Sequence, residues 1–132
     1  MNKKKSFLVP LAILVSAIIL AITIDTPQEI ITGFSQGKAE MISKYFKESV
    51  ELTIDSRENV YSSTQAEIIL KDFFSNNTPK GFSILHEGGK DDSKYSIGSL
   101  LTNHGNYRVT ILLKLNGTKP FIHQLRIEKD AS

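Results

Sequence analysis

Apolar and polar residues alternate from Tyr107 to Leu115. Tyr107, Val109, Ile111, Leu113 and Leu115 point one way; Arg108, Thr110, Leu112 and Lys114 point the other. A period of two marks a strand with one buried face. A second strand runs from Phe121 to Ile127, where Phe121, Leu125 and Ile127 mark the apolar face and His123 falls among them. Asn116-Gly117 suggests a two-residue hairpin turn. That turn would send Phe121 and Leu125 to the wrong side, because a one-residue slip turns every side chain over. The pattern therefore predicts an odd loop, Asn116-Gly117-Thr118, with a bulge. Leu113 then faces Phe121, Ile111 faces His123 and Val109 faces Leu125. On the outer side Leu112 faces Ile122 and Arg108 faces Arg126.

Upstream the period changes. Thr26-Pro27-Gln28-Glu29 reads as a capping box with proline at the first helical position. Ile30, Ile31 and Phe34 follow, and Gly37 suits a C-terminal cap. A second short helix is expected from about Lys38 to Lys47, burying Ala39, Ile42, Tyr45 and Phe46. Val50 to Ile54 alternates as a strand, and Asp55 to Tyr61 reads as a polar loop. Ser62-Ser63-Thr64-Gln65 is a second capping box, opening a helix to about Phe74 with Ala66, Ile69, Leu70 and Phe73 at helical spacing. Strands Gly81–Glu87 and Lys94–Thr102 precede the last hairpin. Pairing Leu101 with Tyr107 sets Ile97 beside Ile111. Two helices, a strand, a third helix and then a meander predict an α+β domain, its helices against one face of a mostly antiparallel sheet.

Composition changes the picture at the N-terminus. Lys3, Lys4 and Lys5 precede an apolar run from Phe7 to Ile24. A basic start before an apolar core is an export signal, and this run is also about long enough to cross a bilayer. A cleaved signal and an uncleaved anchor both fit residues 1–24. Both leave the lysines inside and a single domain, residues 25–132, outside the cytoplasmic membrane. The expected location is periplasmic or elsewhere in the cell envelope, with membrane contact only through residues 7–24 if these are retained. The 16 Lys and Arg less those three leave 13, against 14 Asp and Glu. Such a balance has no basic surplus for neutralising phosphates, so nucleic acid is not an expected partner. The chain has no cysteine, which excludes disulfides, thiolate nucleophiles and cysteine metal sites.

Several stretches carry a likeness: K-Y-F-K-E-S-V-E-L-T-I, Q-A-E-I-I-L-K-D-F-F, Y-S-I-G-S-L, G-N-Y-R-V and H-Q-L-R-I-E, spanning most of Thr26 to Glu128. The chain resembles domain of unknown function 4783, a bacterial family of small exported proteins. More broadly it resembles the nuclear transport factor 2-like, or cystatin-like, fold. The resemblance implies a strongly curved sheet wrapped round a helix, enclosing a cone-shaped pocket. It implies no catalytic residue, since the family has none assigned. Enzymes of the wider fold place a carboxylate in the cone, and no inward carboxylate is expected on these strands.

The near-motifs fail on inspection. His86-Glu87-Gly88-Gly89-Lys90 lacks the second histidine of a zinc helix, Gly81 to Leu85 lacks the last glycine of a nucleophile elbow, and Gly89-Lys90 is followed by Asp91. Asp91, Asp92 and Glu87 offer too few oxygens for a calcium loop. No metal or cofactor is expected. His123 remains as the sharper candidate. The expected register places it in the cone with Ile111, Ile97, Tyr95, Ser99 and Tyr107, where an imidazole and hydroxyls could hold a polar ligand group or move a proton. Outside, Arg108, Leu112, Ile122 and Arg126 would form a patch with two facing arginines. Domains of the resembled fold often dimerise through this face, which makes a homodimer the implied partner. Three functions follow: a non-catalytic module holding a small apolar ligand or a protein, a pocket enzyme using His123, and a structural homodimer.

Overall fold

The computed structural model describes residues 24–131. The expected signal or anchor lies outside these residues except for Ile24. Among the described residues no helix is long and apolar enough to cross a membrane. Among the described residues three helices, α1 (Gln28–Gln36), α2 (Ala39–Ser43) and α3 (Ser63–Asn76), accompany six strands. The strands are β1 (Phe46–Ile54), β2 (Arg57–Ser62), β3 (Pro79–Lys90), β4 (Ser93–Thr102), β5 (Gly105–Asn116) and β6 (Lys119–Lys129). They form one curled sheet in the order β2-β1-β6-β5-β4-β3. Neighbours are antiparallel except β1 and β6, which run parallel. The expected α+β class and mostly antiparallel, strongly curved sheet are observed.

Chain order explains where the long helix lies. β2 and β3 are the two edges of the sheet, and α3 is the connection between them. It must therefore cross the inner face, where Ala66, Leu70, Phe73 and Phe74 are buried. The Ser62–Gln65 capping box forms as expected: Gln65 N donates to Ser62 Oγ at 3.2 Å and Ser62 N donates to Gln65 Oε1 at 3.4 Å. Phe34 of α1, fully buried, stacks on Phe82 at 4.9 Å and meets Phe74 edge-on at 6.0 Å. Gly37 closes α1 in the left-handed region at φ 68°. Ser43 in α2 and Lys71 in α3 both bind the Glu67 carboxylate. The Ser43 hydrogen bond, chiefly, holds the Glu67 pKa below its usual range.

Four expectations fail here. Thr26 does not cap α1; Pro27 is the N-cap residue and no side chain caps it. The Thr26 hydroxyl lies instead 2.7 Å from the Oγ of Ser96, which is fully buried. A buried hydroxyl needs a partner more than an exposed helix end does. The second helix stops at Ser43, because Tyr45 O already accepts Ile122 N at 2.8 Å and Phe46 begins β1. Asp55 to Tyr61 is not a loop: Asp55, at φ 55°, turns the chain into β2. β2 shows no alternation because it is an edge strand, exposed along almost its whole length. Its edge is guarded locally, with Val60 N donating to Asn59 Oδ1 at 2.8 Å.

The fourth failure is the register. Asn116 pairs with Lys119, so the turn is tight, and Leu113 faces Ile122 rather than Phe121. A bulge then leaves His123 without a partner, and Ile111 faces Leu125. Ile122, Leu125 and Ile127 all point inward and are fully buried. β4 is likewise shifted by one: Leu100, not Leu101, pairs with Tyr107, and Ser96, not Ile97, pairs with Ile111.

Candidate functional site

These shifts dissolve the expected pocket around His123. Tyr107 and Ile111 are inward and buried as expected. Tyr95, Ile97 and Ser99 belong to the outer face, one position out of step with the buried residues of β4. The bulge in β6 turns His123 to the same outer face, although it keeps the spacing of Leu125 and Ile127. Tyr95 lies across Gly88 of the neighbouring strand, close enough that a Cβ there would sit 2.7 Å from its hydroxyl. His123 projects beside Phe121, with Nε2 3.8 Å from Glu51 Oε2. Phe121 in turn carries the Lys47 ammonium 4.4 Å from its ring centre. Glu87 is engaged with Lys94 at 3.3 Å rather than with the Asp91-Asp92 turn.

The outer patch changes too. Ile122 is core, and Arg108 pairs with Glu128, not with Arg126. Arg126 pairs with Thr110 and grips Glu128 with two hydrogen bonds, 3.2 and 3.1 Å, while its remaining nitrogen donates to Glu58 at 3.0 Å. The bonds to Glu128 push the Arg126 pKa further up. Thr53, buried, donates to the same Glu58 at 3.2 Å. This network ties β2 and β1 to β6, so no arginine repulsion awaits relief. Arg126→Glu is expected to lower stability by about 1 kcal/mol, read as a lower urea midpoint at unchanged slope. A variant as stable as the parent would show that the network contributes nothing.

The inner face holds a recess. α3 and the β1–β2 hairpin enclose a cleft of about 520 Å³. Its floor is apolar: Leu52 of β1, Phe73 of α3 and Tyr107 of β5 are buried there. Phe73 meets Tyr107 edge-on at 5.0 Å, and the Tyr107 hydroxyl donates to Asn77 Oδ1 at 3.0 Å. Ile68, Asp72 and Asn76 line the cleft from α3 at spacings of four along one helical face, with Ile69 three residues before Asp72. Arg57 and Tyr61 line it from β2. Asp55 closes one end, its Oδ1 accepting Lys129 N at 3.0 Å. Ile68 stays 61% exposed, a large apolar side chain at the rim.

The family model described as Domain of unknown function (DUF4783) matches residues 27–128. The chain belongs to this family. A DUF4783 family protein from Bacteroides ovatus is similar at 34% identity, covering 81% of this chain and 97% of its own, with a TM-score of 0.77. Another, from Bacteroides fragilis, is 35% identical over 80% of this chain and all of its own, with a TM-score of 0.76. A domain of unknown function with a cystatin-like fold from Nostoc punctiforme shares only the fold: 8% identity, 80% and 73% coverage, TM-score 0.64. Among curated proteins nothing matches. Sequence reading of this DUF4783 chain found one cleft residue among its site candidates, Tyr107. The signal it passed over was Ile68 beside Ile69, an apolar position too many for the buried stripe of α3, followed by Asp72 on the same face.

Proposed function

We propose that this DUF4783 domain is an exported, non-catalytic module of the cell envelope that holds a small apolar ligand. The cleft between α3 and the β1–β2 hairpin carries the reading, because an apolar floor under a polar rim is the usual build of a ligand pocket. Its rim carboxylates are exposed, and Asp55 is partly committed to a backbone amide; neither is set up as a desolvated acid or base. His123, the proton carrier of the alternative enzyme reading, is on the other face. The outer-face homodimer has lost the facing arginines that motivated it.

Geometry fits an envelope role. Ile24, where the N-terminal segment joins the domain, lies against Glu87 to Lys94 at the β3–β4 turn. The cleft opens at the opposite end of the sheet, beside the β1–β2 turn. A retained anchor would hold the cleft away from the bilayer. The neutral apolar dye N-phenylnaphthylamine is expected to brighten on one saturable site. Ile68→Glu should weaken that site about tenfold or more with the melting temperature unchanged, since Ile68 is exposed. Dye binding indifferent to Ile68→Glu would overturn the cleft as the site. Alkaline phosphatase fused after Ser132 should be active; an inactive fusion would overturn export.

A further inference from the structure

The polar atoms left unpaired around the cleft are not evenly mixed. The Asp72 carboxylate makes no hydrogen bond or ion pair among the described residues. Asn76 spends its amide nitrogen on Asp72 O at 2.9 Å, which leaves its oxygen unused. Asp55 uses only one carboxylate oxygen. α3 ends here with no basic residue in its last turn, so its negative dipole end adds to Asp72. Arg57 is the opposing charge, on the exposed strand across the cleft.

Resting on the ligand-holding reading above, we propose that the cleft selects an apolar molecule with a positively charged amine end. The body would lie on Phe73 and Tyr107, and the ammonium would sit by Asp72 and the end of α3. Aromatic faces favour cations as well as apolar groups. The protein's own Lys129 ammonium already stands 5.2 Å from the Tyr107 ring centre. Among the residues lining the cleft, a carboxylate end would meet Arg57, against two acidic residues and a helix C-terminus.

Three probes with one tail separate the possibilities: hexylammonium, hexanol and hexanoate, titrated into the purified chain and followed by the backbone amide signals of Ile69 and Asn76. Hexylammonium is expected to bind about fivefold tighter than hexanol, the worth of one exposed ion pair, with hexanoate weakest. Asp72→Asn should bring hexylammonium down to the level of hexanol and leave hexanol unmoved. Concentrated salt should narrow the gap in the same way. Equal binding of all three, or tightest binding of hexanoate, would overturn the amine preference while leaving the apolar cleft standing. No shift at either amide with any probe would overturn both.

Discussion

Ile122→Ala is expected to destabilise the domain by about 2–5 kcal/mol, the cost of emptying a fully buried aliphatic site. Phe121→Ala, next to it, should cost only about 1 kcal/mol, chiefly for the lost contact with the Lys47 ammonium. His123→Ala should change stability by less than about 0.5 kcal/mol, as at most exposed positions. The three together test the register. In a hairpin with Phe121 and His123 buried the order would reverse, with Phe121→Ala the worst. Urea unfolding of the three variants would separate the alternatives, since the two orders differ by more than the error of the extrapolation.

What is legible in the sequence is mostly set by local chemistry, the Thr26 box being the exception. The Ser62 capping box, the glycine after Gln36 and the alternation in β5 each act within a few residues, and all appear as expected. β6 departs from the expected phase because its apolar residues do not keep one period. Phe121 looks like the start of a face that continues through Leu125 and Ile127, but the bulge at His123 resets the phase. Ile122 then belongs with Leu125, and a large aromatic is left outside under a lysine. A bulge is a cost in the ladder that only the packed sheet can justify. β2 was unreadable for the opposite reason: with nearly every residue wet, it has no apolar period to read.

The candidate site suffered directly from the phase error. Moving β4 by one residue takes Tyr95, Ile97 and Ser99 out of the cone together and puts Ser96, Gly98 and Leu100 in. Shifting β6 does the same to His123. The cleft that does form depends on β2 and the α3 rim, the two parts whose side chains stay exposed or half-exposed. Charged rim residues such as Arg57 and Asp72 look like any solvated surface until the hairpin and helix are set side by side.

Gly98→Ala is expected to cost about 1–3 kcal/mol, as overpacking of a full core does. Gly98 is buried on the inner face of β4, and an added Cβ would lie 2.6 Å from the tip of the Phe82 ring. That ring cannot swing away freely, because its face is stacked on Phe34, itself fully buried against Phe74. One methyl therefore pushes on the aromatic contact that seats α1 on the sheet. Gly81→Ala is the control: a Cβ there would meet nothing within 4 Å. It should be neutral or stabilising by up to about 1 kcal/mol through the stiffer unfolded chain. Phe82→Leu makes room, so in that background Gly98→Ala should cost markedly less than alone, a positive coupling between neighbours. An equal cost in both backgrounds would mean that the strand itself, and not the Phe82 ring, requires glycine at this position.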